Sequence, residues 1–187
     1  MKKLLVLGLD GASWSAIKPV LQDMSTFRRI IEKGTAVTLR CNIVPVHSAP
    51  SWTTIFTGVK PELHGIIDFK KSDGSFFKRE DLHYPFVWET LFKRGIDARA
   101  LHILCFVPAL NYRLTFTFSI GYELPWHITL PITYKECMSS LEIIGDKTIE
   151  VLKQERPDFL AVVFPHIDKL SHVLYNRREI IERAYIE

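Results

Sequence analysis

The run "KLLVLGL" (residues 3–9), closed by Asp10 and Gly11, decides how the chain is read. Its apolar residues follow one another without polar alternation, which suits a strand covered on both faces, as in a parallel sheet. A second run, opening "PDFLAVVFPHID" (157–168), has the same character and also leads to an aspartate, Asp168.

The segments between these runs alternate in kind. "STFRRIIEKG" (25–34) predicts a helix with Ser25 or Thr26 as N-cap and Gly34 as the stop. "TAVTLRCNIV" (35–44) is rich in β-branched residues and predicts a strand. "PSWTTIFTG" (50–58) predicts a short helix with Pro50 in its first turn, where a missing N–H does least harm. "FVWETLFKRG" (86–95) predicts a helix with a glycine stop, and "IDARALHIL" (96–104) a strand. Residues 106–131 carry Pro108, Pro125 and Pro131 among several aromatics and predict an irregular excursion from the sheet. A long helix is expected over 133–156 despite Gly145, and a last one over 175–187. Such alternation implies one α/β domain over residues 1–187, a mainly parallel sheet sandwiched by helices with right-handed connections. There is no internal repeat, low-complexity tract or linker.

Composition narrows the function classes. Of 187 residues, 47% are hydrophobic and 24% charged, a balance that lets a soluble chain bury a core. A net charge of +3, spread along the chain, makes no electrostatic case for nucleic acid as a partner. Cys41, Cys105 and Cys137 are widely spaced and form no zinc pattern, so buried free thiols in a reducing compartment are expected. The N-terminal lysines mimic a signal peptide, but the apolar run after them is short and ends in Asp10. No stretch reaches the ~18 apolar residues of a membrane span. The expectation is a cytoplasmic chain without a membrane partner.

In open parallel sheets, ligands collect at the carboxyl ends of the strands. Asp10 and Asp168 both follow apolar strands, so both belong to that edge. Each alone reads as a helix N-cap or turn residue. "DKLSH" shifts the balance, because Asp168 and His172 stand four apart and share one face of a helix. An oxygen and an imidazole suit Zn²⁺ or Mn²⁺ better than Ca²⁺. Ser48 opens the segment "SAPSWTTIFTG". It is either a plain cap or a nucleophile on the positive end of a helix, a natural seat for phosphate. A metal that stabilises the serine alkoxide makes the second reading chemically sound.

With these residues assembled, the chain resembles the type I phosphodiesterase/nucleotide pyrophosphatase branch of the alkaline phosphatase superfamily. The resemblance rests on "LVLGLDGASW" (5–14), "VPVHSAPSWTTIFTGVKPELHGIIDF" (44–69) and "FPHIDKLSHVLY" (164–175). The middle segment is the most specific, with S-A-P-S-W-T, T-G, P-E and H-G-I in order and at the family spacing. The resemblance implies an alkaline-phosphatase-like α/β fold and two divalent metal ions, Zn²⁺ as first choice and Mn²⁺ as second. It implies that Asp10 and Ser48 ligate one metal, Asp168 and His172 the other, and that Ser48 is the nucleophile. It makes His64 a structural support for the nucleophile loop, His47 an exposed loop residue that could touch substrate, and gives His166 no role.

Two departures qualify what is implied. The asparagine that commonly follows H-G-I is absent from "IIDFKKSDG", which puts nucleotide diester specificity in doubt; Lys70 and Lys71 could supply charge instead. The downstream S-D-H-G-like segment and final histidine, which supply three more ligands in the superfamily, do not occur before Glu187. His83, His102 and His127 stand in the wrong context to replace them. The chain is thus read as the N-terminal portion of the fold. Two functions follow: a metal-dependent phosphoester hydrolase working through a phosphoseryl intermediate on a phosphorylated small molecule or nucleotide-like substrate, or a non-catalytic remnant binding a phosphorylated ligand or a partner, including a homo-oligomer. A related phosphomutase would use Ser48 equally well. A dinucleotide-binding reading of "GLDGAS" fails for want of G-x-G-x-x-G.

Overall fold

The computed structural model describes residues 3–44, 46–103, 115–116 and 133–187. The expected excursion at 106–131 lies outside the described residues except for Thr115 and Phe116. In chain order the elements are β1 (Leu4–Leu9), α1 (Trp14–Val20), α2 (Ser25–Lys33), α3 (Ser48–Thr57), α4 (Pro61–His64) and α5 (Val87–Lys93). They continue with β2 (Ala98–Leu101), β3 (Thr115–Phe116), α6 (Tyr134–Glu150), β4 (Phe159–Phe164), α7 (His166–Leu174) and α8 (Arg178–Ile186).

The strands form one sheet in the order β1-β4-β2-β3. β2 runs parallel to β4, with Ala98 opposite Phe159 and Leu101 opposite Val162, and parallel to β3. β1 runs the same way as β4. Leu4 N–H donates to Asp158 C=O and Asp10 N–H to Phe164 C=O, both at 2.9 Å, so the two strands advance together by six residues. The protein is an α/β chain with a small parallel sheet flanked by helices.

The described residues divide into two compact units. The first draws on Met1–Gly8, Cys41–Ser119 and Ile144–Val163. Its core is β4, where Leu160, Ala161, Val162 and Val163 are fully buried, with Ala98, Ala100 and Leu101 of β2 beside it. Aromatics extend that core: Phe86 stacks on Trp88 at 4.5 Å, and Trp88 meets the edge of Phe56 at 5.0 Å. Trp52 lies directly on Gly8, where a Cβ would come within 2.5 Å of the indole, so α3 rests on β1 through the missing side chain.

The second unit draws on Leu9–Arg40, Ile120–Ile143 and Phe164–Glu187. Ile17, Val20 and Met24 form one cluster there, with Trp14, Phe27 and Tyr185 against it. Cys137, Leu170 and Ala184 form another. Among the described residues, no helix is long and apolar enough to cross a membrane.

Two expectations are corrected. Residues 35–44 form no strand; Val37, Leu39 and Val44 are 64%, 84% and 85% exposed. β-branched residues favour a strand only where a neighbour supplies the ladder and the cover. Among the described residues this stretch has no ladder partner, and of its apolar side chains Ile43 is buried while Val37, Leu39 and Val44 are exposed. Cys41 lies in the same stretch and is exposed, whereas Cys137 is buried as expected and Cys105 lies outside the described residues. The long helix runs as expected through Gly145, but its last turn widens into a π-type turn over Val151–Glu155 that closes on Arg156 in a left-handed conformation.

Candidate active site

Backbone hydrogen bonds bring Asp10 and Asp168 together in the second unit. Asp10 is the first residue beyond β1, and Asp168 stands in the first turn of α7. The Asp168 N–H donates to the Asp10 carbonyl at 3.1 Å. Gly11 makes this approach feasible. Its φ is +71°, and a Cβ there would fall 2.6 Å from the Asp168 Cα. Both the handedness and the space exclude a side chain at this position.

The electrostatics follow from that proximity. Asp10 is only 9% exposed. Burial raises the Asp168 carboxyl above its ordinary pKa and the Asp10 charge raises it further, while His172 and Lys169 pull the other way. Two carboxylates in a partly dry place repel each other, and a cation would relieve that cost. The His172 Nε2 stands 3.5 Å from Asp168 Oδ1, one helical turn on, with its side chain 65% exposed. Asp10 and Asp168 thus meet through the backbone, and His172 stands beside Asp168.

The donor set fits a divalent cation in kind: two aspartates close enough for their charges to couple, and an imidazole beside one of them. It is incomplete in number. Among the described residues, no three His, Cys, Asp or Glu side chains gather closely enough to hold an ion.

Ser48 belongs to the first unit. It is the first residue of α3; His47, with extended backbone, is the cap. Ser48 is therefore not a plain N-cap. Ala49 and Pro50 behind it are fully buried, and Thr53 donates its hydroxyl to the Ala49 carbonyl at 2.8 Å, which anchors the first turn. Gly58, in the left-handed region, ends the helix with its N–H on Thr54.

His64 braces α3 from the next element. Fully buried, it accepts the Ile66 N–H on Nδ1 at 3.1 Å. Its proton is thus on Nε2, which faces the Thr54 hydroxyl at 3.0 Å. Burial lowers its pKa, so the ring is held neutral. His102 is likewise buried, with Nδ1 on the Val163 carbonyl at 2.9 Å. His127 lies outside the described residues.

Three features escaped the sequence reading. His47 is not a loose loop histidine: its ring stacks on Phe69 at 5.3 Å, and its Nε2 stands 3.7 Å from Asp68. Lys169, half-buried beside Asp168, has its pKa lowered by burial. His166 holds Ser140 at 2.8 Å between its Nε2 and the serine Oγ. Only Lys169 left a trace in the sequence, as the residue adjoining a site aspartate; the other two depend on contacts between distant elements.

Comparison with known proteins adds the family. A family model, type I phosphodiesterase / nucleotide pyrophosphatase, matches residues 4–186. The chain belongs to that family. Two solved structures share its fold, both of murine ectonucleotide pyrophosphatase/phosphodiesterase 5. One is an inactive variant in complex with AMP, with TM-score 0.65 and 18% identity, covering 99% of this chain and 50% of that one. The other has TM-score 0.63 and 19% identity, covering 98% and 50%. The chain thus spans about half the length of the family structures it matches. Direct comparison with curated proteins finds no match.

Proposed function

We propose that the chain carries part of the active site of a metal-dependent phosphoester hydrolase of the phosphodiesterase/nucleotide pyrophosphatase kind, with Ser48 as nucleophile. The observation that supports this most is the backbone hydrogen bond from Asp168 to Asp10 beside Gly11, which brings the two strand-end aspartates together. The AMP complex of the murine relative supports a nucleotide-like substrate.

Each residue has a task on this reading. Ser48 Oγ loses its proton and bonds to phosphorus as the leaving-group oxygen departs and takes up a proton. Water then adds to phosphorus, the Oγ–P bond breaks and Ser48 regains a proton, which frees a phosphomonoester from a diester substrate or phosphate from a monoester. The first turn of α3 contributes the positive end of a ten-residue helix to the phosphoryl oxygens. His64 keeps α3 in place through Thr54 and takes no proton from substrate. Asp168 and His172 would hold a divalent ion, with Asp10 and Ser48 each offering an oxygen ligand from its own unit, Zn²⁺ before Mn²⁺, and bound ions would supply positive charge to the alkoxide and the phosphoryl oxygens. Structural and catalytic zinc sites use three or four protein ligands, so the site is completed by groups beyond these four.

The test is hydrolysis of an aryl phosphodiester and an aryl phosphomonoester with added Zn²⁺ or Mn²⁺. Turnover abolished by Ser48→Ala supports the reading. No turnover with either metal, together with no Zn²⁺ or Mn²⁺ binding that Asp168→Asn weakens, in a chain shown to be folded, overturns it in favour of a non-catalytic ligand-binding role.

A further inference from the structure

Within the second unit, the first turn of α7 is tied to two other parts of the chain. Leading N–H groups of a helix have no partner inside it, and that of Asp168 is given to the Asp10 carbonyl. From α6, two residues one turn apart, Cys137 and Ser140, both reach His166, the first residue of α7. The Cys137 thiol donates to the His166 carbonyl at 3.6 Å. Burial pushes that thiol up to about 11, so it keeps the proton it donates.

Ser140 joins the two helices through its hydroxyl. Its Oγ stands 3.0 Å from the Cys137 carbonyl and 2.8 Å from His166 Nε2. The carbonyl can only accept, so Ser140 donates its single proton there and His166 Nε2–H donates to Ser140. Cys137, Ser140 and His166 are all buried. Leu170 packs with Cys137 and Ala184 and holds α7 close, but apolar contact is non-directional and tolerates a turn or slide of the helix. Buried hydrogen bonds are directional and costly to leave unmade. The polar chain, not the apolar cluster, fixes the rotation of α7, and Asp168 lies two residues beyond His166.

We propose that Ser140 and His166 are positioning residues for the candidate metal site, their hydrogen bond holding α7 in the register that keeps Asp168 beside Asp10. The consequence for metal affinity rests on the reading of Asp168 and His172 as ligands; the placing of Asp168 does not.

The experiment reads two quantities in the full chain: amide exchange at Asp168 relative to Leu170, and affinity for Zn²⁺ alone by calorimetry. Ser140→Ala is expected to speed Asp168 exchange by about tenfold relative to Leu170 and to weaken Zn²⁺ binding by about tenfold or more. Thr148→Ala removes a buried hydroxyl that bonds to Ile144 within the same helix, and is expected to change neither. His166→Gln and His166→Asn form a second pair, which decides the matter if Ser140→Ala does not fold. The glutamine amide reaches the Nε2 position and is expected to match the unmodified chain, whereas the shorter asparagine is expected to behave as Ser140→Ala. Three results overturn the proposal: Asp168 exchange unmoved by Ser140→Ala, or moved equally by Thr148→Ala; Zn²⁺ affinity unchanged while exchange moves; or His166→Gln and His166→Asn behaving alike. An unmodified chain that takes up no Zn²⁺ sinks the metal reading of the site, and the exchange comparison then decides the positioning role by itself.

Discussion

β1 and β4 look alike on paper and behave differently in the molecule. Each is six residues long, almost wholly apolar, and followed within a few residues by a site aspartate. β4 lies between β1 and β2 and is buried from Phe159 to Val163; among the described residues β1 has a neighbour on one side only and exposes Leu4, Leu5 and Leu7. The apolar run sets the strand, but the number of neighbours sets how much water the strand loses. That difference sets a buried strand beside an exposed one among the described residues.

The largest expected effect tests this division directly. Leu160→Ala removes a fully buried side chain and should cost about 2–5 kcal/mol in denaturant unfolding, whereas Leu7→Ala, half exposed already, should cost less than about 1 kcal/mol. Equal costs would erase the distinction between the strands.

Glycines offer a second, smaller contrast. Gly11 and Gly58 share the left-handed conformation, but a Cβ meets Asp168 at the first and open space at the second. Gly11→Ala should therefore cost about 2 kcal/mol or more and displace Asp168, while Gly58→Ala should cost only about 1 kcal/mol of backbone strain. Thermal unfolding of the two variants measures the gap.

The pH dependence separates the two units with opposite signs. His64 in the first unit has a folded pKa below its ordinary 6.5, so its contribution is present above 6.5 and is lost as pH falls through that value toward the folded pKa. Asp168 in the second has a folded pKa above its ordinary 3.8, so its contribution is full below 3.8 and is lost as pH rises through the folded pKa. Each slope is at most about 1.4 kcal/mol per pH unit. His64→Gln should flatten the stability profile on the first side, and Asp168→Asn on the second, in metal-free unfolding experiments. The smallest effect belongs to His172→Ala, whose exposed ring should change stability by less than about 0.5 kcal/mol while weakening Zn²⁺ binding measured by calorimetry.

Much of the site was legible because its residues sit at positions that local pattern defines. Asp10 and Asp168 mark the ends of apolar runs, His172 is one helical turn beyond Asp168, and Ser48 begins a helix stopped by Gly58. Other features were not legible, for physical reasons. The short helices α1 and α4 carry prolines and little periodicity, and packing rather than propensity holds them. Residues 35–44 have strand-forming side chains, yet a strand is a pairwise structure and its partner is not written in the segment itself. The stack of His47 on Phe69 joins residues more than twenty positions apart, a distance over which no periodicity speaks.

Local chemistry alone determined that apolar runs become strands, that glycines end helices, and that an aspartate and a histidine four apart share a helix face. The tertiary structure decided which of two similar strands is buried, that Gly11 lets the Asp10 and Asp168 backbones meet, and that His64 stays neutral under α3. Propensity acts between neighbours in the chain, whereas burial, charge coupling and proton position depend on what the folded chain sets beside each group.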